Sequence, residues 1–187
     1  MFKETSKELL DFLSKSPTAF HAVENYRQIL NADGFKELLE SEHWDIVPGG
    51  KYYVTRNNTS ILAFKVGTKL DNYSFNIVTS HTDSPTFKVK ENAAIEVQNK
   101  YNQLNTEGYG GMLCATWLDR PLSIAGRVLV SEGNSIVTKL LNIDRDLLMI
   151  PNVAIHMNRA ANDGFKYNLQ VDMLPLLSGG DDRQKDF

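Results

Sequence analysis

The stretch FNIVTSHTDSPTFKVK, residues 75–90, decides how this sequence of 187 residues is read. An apolar run ends in His81-Thr82-Asp83, and a second run of β-formers follows Pro85. We read SFNIVTS, residues 74–80, as a buried strand. In open α/β sheets, ligands bind just beyond the carboxyl ends of strands, and His81 would stand at that place. Two residues apart in extended chain, His81 and Asp83 point to the same side. One ring nitrogen can then bind a metal while the carboxylate fixes the other, which sets tautomer and ring orientation. Pro85 restricts Ser84 to extended conformations and stiffens the segment. Taken alone, H-x-D is short and common, and a histidine satisfied by a turn aspartate is the plainer reading.

Toward the N-terminus the pattern is helical. TSKELLDFLSKSP, from Thr5, has Glu8 three residues on, a capping-box spacing. Leu9, Leu10, Phe12 and Leu13 form an apolar stripe before Pro17 stops the helix. A second helix restarts with Ser16 or Thr18 as cap, turns Phe20, Val23, Ile29 and Leu30 inward, and ends at Gly34. From about residue 51 the pattern changes to β. KYYVTRN, SILAFKVG and TFKVK are followed by AAIEVQ, LSIAGRVLV, SIVTKLL, PNVAIHMN and NLQVDMLPLL. Asn57-Asn58 reads as a hairpin turn. The chain thus passes from a mixed α/β region into a β-rich one near residues 90–100. The tail SGGDDRQKDF reads as a loop or frayed end.

Other candidates are weaker. In PNVAIHMN, alternation puts His156 with Ala154 and Asn158, on the less apolar face of an expected strand. By itself His156 reads as a surface histidine, and His21 and His43 as structural or surface residues. EGYGGMLCATWLDRPLSIAGRV, residues 107–128, has a glycine cluster but neither the Lys-Ser/Thr ending of a P-loop nor G-x-G-x-x-G. It reads as a turn plus a strand, with Asp119 and Arg120 as a simple exposed charge pair. A catalytic zinc site needs at least three protein ligands. There is no H-E-x-x-H, and on spacing alone the sequence does not close a metal site.

Composition bounds the partners. Hydrophobic residues make up 42% and charged residues 23%, as in an ordinary globular chain able to bury a core. A net charge of −3, with Lys and Arg spread out, points to no nucleic-acid partner and no anionic membrane. No apolar run has the length of a membrane span, and the start shows no secretory signal. Cys114 is the single cysteine, which excludes an internal disulfide and a Cys-based zinc cluster. A reducing, cytoplasmic setting is expected.

Across these same residues the sequence resembles the M18 metallo-aminopeptidases, the aspartyl aminopeptidases. The resemblance runs in the family's order through SPTAFHAVENYR, GFKELLE, KYYVTRNNTSILAF, SHTDSPTFKVK, YGGMLCATWLDRPLSIAGRV and IPNVAIHMNRAANDGF. It covers about residue 10 to about residue 177. It implies an α/β fold class: residues 1–92 as the first part of a zinc-aminopeptidase catalytic domain, and 93–187 as a β-rich, incomplete dimerisation domain. It further implies that His81 is a zinc ligand, that Asp83 orients it, and that His156 reaches across a dimer interface to a partner's active site. The family holds two zinc ions per active site. Its bridging aspartate, paired glutamates, further metal carboxylate and last histidine have no counterpart here, and Asp181, Asp182 and Asp186 match none of them. Pro121 and Met112 are mild departures from its pattern.

Three functions follow as expectations. The first is a zinc aminopeptidase removing N-terminal, acidic residues from peptides, as a homo-oligomer, truncated here and inactive alone. The second is a non-catalytic dimerisation or interaction module left by truncation. The third, a β-rich binding domain with no metal role, fits the ordered motifs least.

Overall fold

In chain order the elements are helices α1 (Phe2–Ser14) and α2 (Ala19–Ala32), and strands β1 (Lys36–Glu37), β2 (Lys51–Arg56), β3 (Ser60–Lys65), β4 (Thr86–Val97) and β5 (Tyr101–Tyr109). A 3-10 helix (Cys114–Trp117) and strands β6 (Ala125–Glu132), β7 (Ser135–Asn142) and β8 (Leu176–Gly179) complete the set. This computed structural model describes residues 2–71 and 74–179. The expected terminal loop with Asp181, Asp182 and Asp186 lies outside the described residues. The chain forms two compact units, residues 1–84 with 125–142, and residues 85–124 with 143–187.

Helix α2 organises the first unit. Thr18, in extended conformation, caps it by accepting from the His21 N–H, and its end closes through Asp33 and Gly34. Gly34 has φ +79°, and the Phe35 N–H bonds the Leu30 carbonyl at 2.9 Å, an arrangement that a left-handed glycine permits. Ala22 and Val23 are buried, whereas Ile29, expected to face inward, is exposed. Below α2 lies the sheet β1-β2-β3, in which β1 runs parallel and β3 antiparallel to β2. Tyr52 and Tyr53 of β2 are buried. Burial opposes the charge on Arg27, but hydrogen bonds with Tyr53 and Glu37 leave its guanidinium above the ordinary value. Its NH2 group reaches Glu37 at 2.8 Å, and the Tyr53 hydroxyl donates to Asn31 at 3.0 Å. These bonds tie helix to sheet.

The β2–β3 turn takes left-handed conformations at Asn57 (φ 51°) and Asn58 (φ 54°), which asparagine tolerates, as the sequence indicated. Helix α1 begins at Phe2, a turn ahead of the expected cap. Thr5 is therefore inside the helix, and Ser6 donates to the Phe2 carbonyl at 2.8 Å. Glu4 in the first turn suits the helix dipole. The Phe12 and Tyr26 rings, 4.7 Å apart, join α1 to α2, while Leu9, Leu10 and Leu13 stay exposed. The hairpin β6–β7 also belongs to this unit. Arg127 on β6 stacks on Phe20 (4.4 Å) and donates to the Asn57 carbonyl at 3.0 Å.

The second unit is built on the sheet β4-β5-β8, antiparallel throughout. TFKVK and AAIEVQ, expected as separate strands, are one strand, β4, with a register shift between Val89 and Ala94. The expected 92/93 division falls at that bulge, inside a continuous strand. Leu104, Thr106, Leu148, Ile150 and Met173 are buried here. PNVAIHMN is not a strand. Bridges run from Leu148 to Leu122, Met149 to Leu176 and Ile150 to Leu118, and the pairing stops at Pro151, which has no N–H to donate. NLQVDMLPLL is mostly turns, with strand only from Leu176. The result is a mixed helix and sheet protein with its α-helices in the first unit.

Candidate functional site

His81 lies in the first unit, in the segment that leads to Pro85. The expected buried strand before it is absent: residues 74–80 are paired in no sheet. Ile77 is 77% exposed and Val78 98%. A run of β-formers becomes a strand only where a ladder partner and a covering layer exist, and the described residues supply neither. His81 itself is fixed more firmly. Thr82 donates its hydroxyl to the Thr59 carbonyl at 2.7 Å, anchoring the segment to the β2–β3 turn.

The His81 ring then folds onto Asp83. Nδ1 lies 2.7 Å from the Asp83 backbone carbonyl oxygen and 3.3 Å from its carboxylate Oδ1. Both neighbours are acceptors, so in neutral imidazole they select the tautomer with the proton on Nδ1. The Nε2 lone pair is left as the basic nitrogen, and the side chain is 80% exposed. This is the ring state a metal-binding histidine needs. Asp83 thus holds the ring through its carbonyl at least as much as through its carboxylate, a contact that no residue pattern reveals. A zinc centre asks for three protein donors or more. Among the described residues no group of three or more His, Cys, Asp and Glu side chains is placed to hold a metal. The residues present fit one donor of a zinc site and not the site.

His156 belongs to the second unit. It sits in an exposed turn in which the Met157 N–H bonds the Ala154 carbonyl at 2.8 Å and the Asn158 N–H bonds the Ile155 carbonyl at 3.2 Å. Strand alternation therefore does not set its direction. His21 is structural, as expected. Its Nδ1 is 2.8 Å from the hydroxyl of the capping Thr18, and burial lowers its pKa. His43 is exposed, 3.7 Å from Asp45.

The glycine-rich loop is structural too. A Cβ on Gly108 would lie 2.7 Å from a Leu169 methyl, and Gly110, at φ +75°, packs against Pro85. Asp119 and Arg120 are not a charge pair. The Asp119 carboxylate accepts the Asn152 N–H at 2.9 Å, and Arg120 donates to the Thr116 carbonyl. Asp119, left-handed at φ 54°, is thus a loop brace. Cys114 is a free, part-buried thiol.

Comparisons with known proteins agree on one family. The family described as Aminopeptidase I zinc metalloprotease (M18) matches residues 12–186. The probable M18 family aminopeptidase 2 of Clostridium novyi is 50% identical over 92% of this chain, which covers 40% of that relative. The aspartyl aminopeptidase of Dictyostelium discoideum is 46% identical over 92% of this chain and is covered to 36%. Among solved structures, a chain in the cryo-EM structure of the Ape4 and Nbr1 complex superposes with a TM-score of 0.91 at 39% identity, over 98% of this chain and 36% of that one. The S. cerevesiae mApe1 dodecamer gives 0.76 at 27% identity, over 98% and 40%. The chain therefore spans well under half the length of the relatives it resembles. With a match reaching from Phe12 almost to the last residue, it belongs to the M18 aminopeptidase family.

Proposed function

We propose that this chain contributes the N-terminal portion of a zinc-dependent aminopeptidase that removes acidic N-terminal residues from peptides. The observation that carries the reading is the state of His81: Nδ1 occupied by Asp83, Nε2 open, the ring accessible, all inside an M18 match. In this reading His81 supplies one nitrogen donor, and Asp83 keeps the proton on Nδ1. Zinc, when bound, would supply a Lewis acid for peptide hydrolysis. No step is complete on these residues, because His81 is a single donor and no group of three or more His, Cys, Asp and Glu side chains is placed to hold a metal among those described. The acidic preference is supported by the Dictyostelium relative's name, and assembly by the dodecamer among the structural neighbours.

His156 fits a contribution in trans, donating to a developing oxyanion in a partner subunit's site. Its place in an exposed turn is compatible with that role, since the ring is open to a neighbour. Residues 1–92 and 93–187 are assigned to the catalytic and dimerisation parts on the family resemblance, and the setting is the cytoplasm.

The test is a chimera in which residues 12–179 replace the matching segment of the Clostridium novyi relative. Zinc content and release of Asp- and Glu-anilides are measured. We expect a zinc-loaded, active chimera that loses both properties in His81→Ala. Full activity in His81→Ala would overturn the assignment. A second reading, a non-catalytic interaction module, is favoured by the incomplete donor set alone. It would be upheld if the 187-residue chain forms oligomers with the relative while the chimera stays inactive.

A further inference from the structure

Asp119 holds the start of the segment that carries His156. The carbonyl of Ile150, a fully buried residue, accepts the Asp119 N–H at 2.9 Å. Pro151 has no N–H to offer, and the next amide, that of Asn152, donates to the Asp119 carboxylate at 2.9 Å. One residue thus grips the chain on both sides of Pro151. Among the described residues, the Asn152 bond is the last that ties this segment to another part of the unit before His156. Beyond it the bonds are local and consecutive. The Val153 N–H donates to the Asn152 side chain at 2.8 Å, and the turns closed by Met157 and Asn158 follow.

Asp119 is itself braced. Leu118 bridges to Ile150, and the Trp117 ring meets Phe87 of β4 edge-on at 5.1 Å. The Asp119 backbone is left-handed at φ 54°, a conformation that Asp and Asn adopt more readily than other side-chain-bearing residues. Such a conformation costs free energy and persists where the surroundings over-determine it, often beside a functional group. We infer that Asp119 is a positioning residue for His156: its carboxylate fixes the base of segment 152–158 and leaves the ring free to meet a partner subunit. The inference rests on the proposed role of His156 in trans. Asp119 touches no substrate in this account, and its effect passes through Asn152 and the two turns.

Two substitutions separate the carboxylate from the backbone. Asp119→Gly keeps a left-handed residue and removes the acceptor, whereas Asp119→Asn tolerates the same backbone and keeps one acceptor oxygen. In the 187-residue chain, NMR order parameters at 153–158 should fall from about 0.85 to below about 0.6 in Asp119→Gly, and Asp119→Asn should restore them. In the chimera with the Clostridium novyi relative, Asp119→Gly should lower kcat by roughly 10–100-fold, with KM and zinc content unchanged. Asp119→Asn should recover most of that loss. Combined with His156→Ala, Asp119→Gly should cost no more than His156→Ala alone, because residues that act as one unit are not additive. A residue that only stabilised its own loop would add its cost to that of His156→Ala. The inference is overturned by additive losses, by an unchanged kcat in Asp119→Gly, or by order parameters at 153–158 that do not move. Each of these results, in an active chimera impaired by His156→Ala, removes Asp119 alone and leaves the role of His156 standing. An inactive chimera, or one indifferent to His156→Ala, removes the underlying reading and the inference with it.

Discussion

His81 and His156 both follow apolar runs and both are exposed, but the chain treats them differently. His81 is fixed from two sides, through Thr82 on the β2–β3 turn and through its own ring on Asp83. His156 sits in a turn closed only by backbone bonds from Met157 and Asn158, with no hydrogen bond to its ring among the described residues. A donor that must meet a metal needs a chosen tautomer and a fixed direction before the metal arrives. A donor that serves a neighbouring subunit can be oriented when that neighbour binds. The difference in support therefore matches the difference in proposed role: His81 acts in its own site, His156 in another's.

The comparison can be broken most directly at His81. In the chimera, His81→Ala should lower kcat/KM beyond the roughly 10–100-fold expected of a residue that only orients a ligand. It should also lower zinc content, read by atomic absorption. His156→Ala should cost about 100–1,000-fold in kcat, the range for one oxyanion donor, with zinc content unchanged. If His156→Ala removed zinc instead, the two histidines would share a role and the contrast would be lost. Asp83→Asn sharpens the account. The closest contact to Nδ1 is the backbone carbonyl at 2.7 Å, which the substitution keeps, so a loss near roughly tenfold is expected. A loss as large as that of His81→Ala would make the carboxylate a ligand.

The smallest effect concerns the scaffold. Thr18→Ala should destabilise the first unit by about 1 kcal/mol, measured by denaturant unfolding, because it removes the α2 cap. Thr18 also meets the His21 ring at 2.8 Å. Burial lowers the His21 pKa below 6.5, so the unfolded chain binds this proton more readily. The contribution of His21 is complete above pH 6.5 and fades as pH falls toward its lowered value. A shallow loss of stability below pH 6.5 should therefore vanish in a His21 variant.

Legibility in the sequence followed how local each decision was. The Thr18 cap, the Gly34 stop and the Asn57-Asn58 turn are chosen by residues within a few positions of each other, and they stand where the pattern put them. Strand β5 was not visible, since Tyr101–Tyr109 is mostly polar. It forms because β4 and β8 pair on its two edges and bury Leu104 and Thr106. SFNIVTS failed in the opposite way, as a strong β pattern without partners. At the site, H-x-D located His81, and the ordered motifs around it raised it above a turn. The Asp83 carbonyl contact and the Thr82 anchor were not legible, because both use backbone oxygens that every residue possesses.

The measurement closest to the central claim, that these residues hold one donor of a site completed elsewhere, is zinc titration of the 187-residue chain by itself. Bound metal and release of an Asp- or Glu-anilide are followed together. The account predicts weak binding, less than one zinc retained per chain after gel filtration, and no turnover. Two tightly held metals per chain with turnover would contradict it.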